Sequence, residues 1–237
     1  ASSRGTAATK AAERFPIRRA PAVATGIGAK LLCSSRFVSG FSEAQSFDDL
    51  VQYSGILERL SVSYELDRSA VSASFFGLKE KTATFIPGIG CAVDYAGYEM
   101  RSALAPLVAS PRDSDQPWPR GAAVTSIEPA LQALLDQIVD EDNAEGLNTR
   151  ALLVVKGGRI VGESYAQGAD AQTPLLGWSM AKSLTAVMLA NLEYRGLLDL
   201  EAPAGFEQWQ NDARADIRVT DLLTMTDGLD FSEEYNP

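Results

Sequence analysis

The sequence contains no histidine, and this absence removes several reaction mechanisms at once. A Ser-His-Asp or Cys-His relay needs an imidazole to carry the proton, so neither relay can be assembled from these 237 residues. The usual zinc sites combine imidazoles with several thiolates, whereas Cys33 and Cys91 are the only cysteines. We therefore expect neither a histidine-based active site nor a metal or other cofactor.

The sequence also has little cysteine, and its two cysteines lie far apart. The spacing of Cys33 and Cys91 fits neither a C-x-x-C redox pair nor a metal-binding knuckle. Two interpretations stay open: two buried, apolar thiols, or one disulfide formed in an oxidising compartment.

Long apolar runs and an excess of positive charge are missing as well. No run of 18 or more apolar residues occurs, so we expect no transmembrane segment. Asp and Glu number 31 against 21 Lys and Arg, which gives a net charge of −10 and argues against a nucleic-acid partner. Hydrophobic residues make up 46% of the chain, as in a globular protein with a sizeable core.

Phosphate-binding signatures are absent too. The glycine pairs in Gly26-Ile27-Gly28 and Gly88-Ile89-Gly90 lack the third glycine of a dinucleotide fingerprint, and no P-loop occurs. Neighbouring acids such as Asp140-Glu141-Asp142 are typical of a solvated surface. The sequence thus gives no support for nucleotide binding or glycoside hydrolysis.

Composition divides the chain into four segments. Residues 1–36 are basic, with Glu13 as their only acid, and we interpret them as a linker or a targeting remnant. Residues 111–121 hold three prolines and several turn-forming residues, as expected of a linker. Between them, residues 37–110 form a β-rich extension, and residues 122–237 form a second region. Strands are predicted in the extension over Leu60–Leu66, Val71–Leu78 and Thr82–Ile86.

The second region alternates helical and strand patterns. Apolar residues at helical spacing predict a helix after Ser126, which we take as its N-cap. Ala151–Lys156 and Arg159–Tyr165 flank a Gly-Gly turn, which predicts a β-hairpin. Further helices are predicted from Ser179 to about Tyr194, ending at Gly196, and over Thr220–Met225, capped by Gly228. These patterns predict an α+β protein.

One group of residues carries candidate chemistry: Ser179-Met180-Ala181-Lys182, at the start of a predicted helix. Residues three apart on a helix share one face, so the amine of Lys182 can reach the hydroxyl of Ser179. A serine is a weak nucleophile until its proton is removed, and without histidine a desolvated lysine is the remaining candidate base. The Ser179 amide at the helix start could also supply half of an oxyanion hole.

A Ser-x-x-Lys tetrad also arises readily by chance in a chain this rich in serine. In that interpretation Ser179 merely caps a helix and Lys182 is solvated. The context favours the catalytic interpretation, because the tetrad follows an amphipathic helix and a hairpin and opens an apolar helix.

Residues 150–231 resemble the penicillin-recognising serine hydrolases, in the branch of class C β-lactamases, D-alanyl-D-alanine carboxypeptidases, esterases and nylon-oligomer hydrolases. Four segments carry the resemblance: residues 151–161 (ALLVVKGGRIV), 179–185 (SMAKSLT), 196–200 (GLLDL) and 217–229 (IRVTDLLTMTDGL). It implies a β-lactamase/transpeptidase-like fold, an antiparallel sheet with flanking helices. It also implies a serine hydrolase that cleaves a small-molecule amide or ester through an acyl-enzyme on Ser179.

The chain departs from the family pattern at two points. Met225 and Asp227 stand where the family usually has His and Ser, as in the nylon-oligomer-hydrolase-like branch. The family's later Tyr-x-Asn and Lys/His-x-Gly motifs are not found after Ser179. We therefore expect an N-terminal fragment, its sheet incomplete at the C-terminus, that is inactive on its own.

Three further expectations follow. A non-catalytic binding or sensing domain of the same fold is the alternative to an enzyme. Tyr235 follows the Gly228 turn, and we expect it at the mouth of the cleft as a substrate-binding residue, although a solvated loop is the alternative. The resemblance implies an extracytoplasmic location in bacteria, although no export signal is visible in the sequence.

Overall fold

The computed structural model describes residues 20–95 and 115–230 and confirms the α+β class. The chain divides into two compact units, residues 1–174 and residues 175–237. The helices are α1 (Ala20–Ser34), α2 (Glu43–Val51), α3 (Pro129–Ala144), α4 (Met180–Tyr194) and α5 (Val219–Leu223). The strands are β1 (Leu60–Glu65), β2 (Ala70–Phe75), β3 (Leu78–Ile86), β4 (Gly90–Val93), β5 (Ala151–Lys156) and β6 (Arg159–Tyr165).

The first unit begins with a four-stranded antiparallel meander, paired in the order β1-β2-β3-β4. The register sets Val62 opposite Ala73 and Val71 opposite Ala83, so apolar side chains at alternate positions share one face. The three predicted strands lie close to β1, β2 and β3. The prediction missed β4, because four residues are too few to show alternation.

Helix α1 packs on the apolar face of this sheet, where we had predicted a linker or targeting remnant over residues 1–36. Ala24, Thr25 and Ala29 are buried, and Gly28 lies against Leu60 and Ala73. The small residues that made this stretch look like a linker instead let the helix backbone approach the strands closely. Residues 1–19 lie outside the described part of the chain.

The two glycines of α1 should respond in opposite ways to alanine. A Cβ at Gly28 would overlap Cδ1 of Leu60, whereas a Cβ at Gly26 meets no atom within 4 Å. We expect Gly26→Ala to raise the free energy of unfolding by up to about 1 kcal/mol through helix propensity. Gly28→Ala should lower it by roughly 1–2 kcal/mol through overpacking. Urea denaturation measures both, and equal effects of the two variants would contradict this packing.

Cys33 and Cys91 form a disulfide that joins the end of α1 to β4. Cys33 is 0% exposed and Cys91 is 8% exposed, so the bond lies within the core of the meander. The question that the sequence left open is thereby answered in favour of the disulfide.

The rest of the first unit is built from α3 and the β5–β6 hairpin. The hairpin has the predicted bounds, and both Gly157 and Gly158 take the positive φ that its turn needs. Helix α3 packs on β6, where Gln132 exchanges hydrogen bonds with the backbone of Glu163. The predicted N-cap at Ser126 is wrong: Glu128 is the N-cap, because Pro129 suits the first helical position.

The second unit contains α4, two short 3-10 turns and α5. Gly196, at φ +67°, follows α4 as predicted. Residues 200–204 run beside residues 217–220, joined by backbone hydrogen bonds such as Ala204 N–H to the Ile217 carbonyl at 2.8 Å. Helix α5 ends earlier than the predicted Met225, because Met225 itself takes a left-handed φ of +56°.

Candidate functional site

The start of α4 brings the two predicted catalytic side chains together. Ser179 is the N-cap residue, and Lys182 lies one turn further along the helix. The Nζ of Lys182 donates to the Oγ of Ser179 at 3.1 Å. This is hydrogen-bond distance, so a proton can pass between the two groups without a bridging water.

The backbone immediately before Ser179 is strained. Trp178 has a φ of +41°, a region that a bulky side chain seldom occupies. Such a residue costs roughly 1–3 kcal/mol and is concentrated at functional sites. The sharp bend at Trp178 also allows α4 to begin at once, with Met180 N–H donating to the Gly177 carbonyl at 2.8 Å.

The helix start supplies a hydrogen-bond donor next to the hydroxyl. Ser179 makes no side-chain capping bond, and within residues 20–95 and 115–230 its N–H donates to no acceptor. The positive end of the 15-residue helix α4 lies at the same place. A carbonyl oxygen that gains negative charge beside Ser179 would be stabilised there.

Both side chains are exposed, contrary to the expectation of a desolvated lysine. Helix α4 has no buried residue, and the hydrogen bond between Lys182 and Ser179 is an exposed one. The apolar side chains Leu184, Val187 and Met188 are likewise exposed. Among the described residues, Lys182 and Ser179 are therefore close enough for proton transfer, but the pair is not shielded from water.

A cluster centred on an arginine lies in the segment of residues 217–229. Arg218 pairs with Glu201 and with Asp221, each at 2.6 Å. The backbone N–H of Arg218 also donates to Oδ2 of Asp221, and this hydrogen bond caps the start of α5. The hydrogen bond from Arg218 lowers the pKa of Asp221 below its usual range, so this carboxylate stays ionised at neutral pH. The cluster has a structural role rather than a proton-transfer role.

The two positions that depart from the pattern of the resembling family are Met225 and Asp227. Met225, at the position of the family's histidine, is 85% exposed and has no group that exchanges protons. Asp227 accepts from the Leu229 N–H at 2.8 Å and so supports its own turn.

Two tyrosines in the described part of the chain have raised pKa values. Burial, reinforced by a hydrogen bond to Glu163, raises the pKa of Tyr165 to about 12. Burial, reinforced by Glu43, raises that of Tyr64 to about 12 as well. Both are therefore neutral phenols at physiological pH and unsuited to act as bases. Tyr235, the predicted substrate contact, lies outside the described residues.

Among residues 20–95 and 115–230, no group of His, Cys, Asp or Glu side chains could hold a metal ion. Nor does any of their helices combine the length and apolarity needed to span a membrane.

Sequence reasoning missed one partly buried ion pair. Arg150, which directly precedes β5, pairs with Asp49 of α2 at 2.6 Å, with side chains 13% and 30% exposed. The two residues are 101 positions apart, and no local pattern marks either of them.

One comparison with known proteins finds a match to part of the chain. Residues 131–237 match the model of the Beta-lactamase family, and this range includes Ser179 and Lys182. The match supports the serine β-lactamase/transpeptidase-like superfamily and a hydrolase-type function for this region. No curated protein and no solved structure matches the chain.

Proposed function

We propose that residues 131–237, which match the Beta-lactamase family, belong to a serine hydrolase that cleaves an amide or ester through an acyl-enzyme on Ser179. The contact between Lys182 Nζ and Ser179 Oγ, at 3.1 Å, carries the proposal. The strained Trp178 supports it, and so does the Ser179 N–H, which donates to no acceptor among the described residues; both lie at the proposed nucleophile.

The reaction divides into acylation and deacylation. The neutral amine of Lys182 takes the Ser179 proton while Oγ attacks the substrate carbonyl carbon. The Ser179 N–H donates to the oxygen that becomes negative. When the carbonyl re-forms, the bond to the leaving amine or alcohol breaks, and that group receives the proton. Water then attacks the acyl-serine, which releases the acid and restores the hydroxyl.

The substrate class is proposed at the level of amide or ester only, because one fold serves many substrates. Met225 and Asp227 favour the nylon-oligomer-hydrolase-like branch over the branches that have His and Ser there. The test is hydrolysis of p-nitrophenyl esters, nitrocefin and short amide oligomers by the complete gene product. Turnover of at least one of these substrate classes supports a hydrolase. Saturable binding of a substrate without turnover contradicts a hydrolase.

A non-catalytic binding or sensing domain is the second candidate function. The exposure of Lys182 and of most of α4 favours it, because the described residues do not supply the water-poor surroundings that a lysine base needs. The same set of substrates distinguishes a sensor from an enzyme, since a sensor binds a β-lactam or amide without releasing product.

The role of Lys182 is tested by a substitution that keeps its charge. Lys182→Arg should lower kcat by about 10²–10⁴-fold, because a guanidinium does not give up its proton. Lys156→Arg is the matched control, since Lys156 is exposed and pairs with Glu128 at 3.4 Å. Activity of Lys182→Arg within about tenfold of the unmodified enzyme would contradict a general-base role.

Tyr235 is retained as a proposed substrate contact. Tyr235→Phe should raise KM several-fold, because a hydrogen bond to bound substrate contributes about 1 kcal/mol. Tyr194→Phe serves as the control, since Tyr194 is 90% exposed at the end of α4. If KM and kcat of Tyr235→Phe stay unchanged for every substrate that is turned over, Tyr235 does not contact substrate.

We also propose an extracytoplasmic location. The Cys33–Cys91 disulfide supports it, because structural disulfides persist mainly in oxidising compartments.

A further inference from the structure

The loop that leads towards Ser179 is held at both ends by the N-terminal part of the first unit. We call residues 166–174 the connector loop and residues 20–95 the accessory region. Near its beginning, the connector loop receives a hydrogen bond from Nε2 of Gln45 to the Gln167 carbonyl, at 2.6 Å. At its end, the Pro174 carbonyl accepts from Oγ of Ser39 at 2.7 Å. Side chains of the accessory region thus bind backbone at both ends of the loop.

A partly buried ion pair anchors the base of the same loop. Arg150 donates to Oδ1 of Asp49 at 2.6 Å, and its guanidinium lies over the ring of Phe41, 5.6 Å from the centroid. The Arg150 carbonyl in turn accepts from the Ala166 N–H at 3.1 Å, where the connector loop begins. Because the pair is partly buried, loss of one partner would leave the other charge poorly compensated.

The connector loop needs such support because its own conformation is irregular. Gln167 and Gly168 have φ of +57° and +79°. Nε2 of Gln167 donates to Asn143 at 3.0 Å, and Asp170 ties the loop to itself through Gln172 and Thr173. A non-glycine residue at positive φ is maintained only where surrounding contacts fix it.

The donors of the accessory region lie on two adjacent pieces of backbone. Ser39 ends a π-helical turn, Ser35–Ser39, and is followed by Gly40 at φ +81°. Gln45 lies in the first turn of α2, which Ser42 caps through the Gln45 N–H. π-Turns inside helical segments often occur at functional positions. Here the turn comes directly before the chain reaches α2.

We propose that the accessory region is an internal clamp, in which Ser39, Gln45 and Asp49 fix the connector loop within the first unit. The three side chains and their partners all belong to this unit, which ends at Pro174. The clamp does not rest on the proposed function.

Hydrogen exchange of the connector loop tests the clamp directly. In the complete gene product, Ser39→Ala combined with Gln45→Ala should speed exchange of the Ala166, Ala169 and Thr173 amides by about tenfold, since two hydrogen bonds to the loop are lost. Gln52→Ala is the matched control, because Gln52 follows α2 and donates only locally, to Asp48 at 3.2 Å. Unchanged exchange in the double variant overturns the clamp.

Discussion

Ser179→Ala is expected to abolish covalent labelling by a fluorophosphonate or a β-lactam in the complete gene product, and to lower hydrolysis by on the order of 10⁴–10⁶-fold. The alanine removes the oxygen that forms the acyl bond in the proposed mechanism, while the Ser179–Lys182 turn keeps its backbone. Intact-mass spectrometry counts the adducts, and peptide mapping locates them.

The control for this variant is Ser183→Ala, which removes an exposed hydroxyl from the same helix. It should keep the single adduct at Ser179. An adduct that survives in Ser179→Ala would assign the nucleophile to another residue. The circular dichroism spectrum of Ser179→Ala should match that of the unmodified protein. A changed spectrum would show that labelling is lost through misfolding.

Removal of the Cys33–Cys91 disulfide is expected to cause the largest loss of stability. The bond closes a loop with a sequence separation of 58. In the chain-entropy model a loop of this size contributes about 4 kcal/mol to the free energy of unfolding. Cys33→Ala with Cys91→Ala should therefore lower Tm by roughly 10 °C. Thermal unfolding followed by circular dichroism measures the shift.

Reductant separates the cross-link from the packing of the cysteine side chains. The unmodified protein should lose most of this stability in dithiothreitol, whereas the double alanine variant should show no dependence on reductant. An unchanged Tm of the unmodified protein, after mass spectrometry has shown both thiols free, would contradict the stabilising role.

The sequence predicted well those elements whose signals are local. The β5–β6 hairpin has the predicted bounds, because a Gly-Gly turn between two β-favouring runs leaves few alternatives. The Ser179–Lys182 contact was predicted from helix geometry alone, since residues three apart share one face. In both cases a few consecutive residues contain the whole signal.

The features that the sequence did not reveal depend on distant partners. Helix α1 looks like a linker until its small residues meet the sheet, where Gly28 lies against Leu60. The pairing of Arg150 with Asp49 joins residues 101 positions apart, and neither neighbourhood is unusual. Whether Lys182 is desolvated is likewise a matter of tertiary packing, and the exposure of α4 does not follow from its apolar face.

The order of the clamp along the chain has a consequence for biosynthesis. Ser39, Gln45 and Asp49 precede their partners Pro174, Gln167 and Arg150 by 135, 122 and 101 positions. A ribosome therefore completes the donors well before it adds the carbonyls of Gln167 and Pro174. The accessory region can then present a preformed template to the nascent loop. If residues 131–237 were fused to a different N-terminal sequence, the loop would be synthesised without this template.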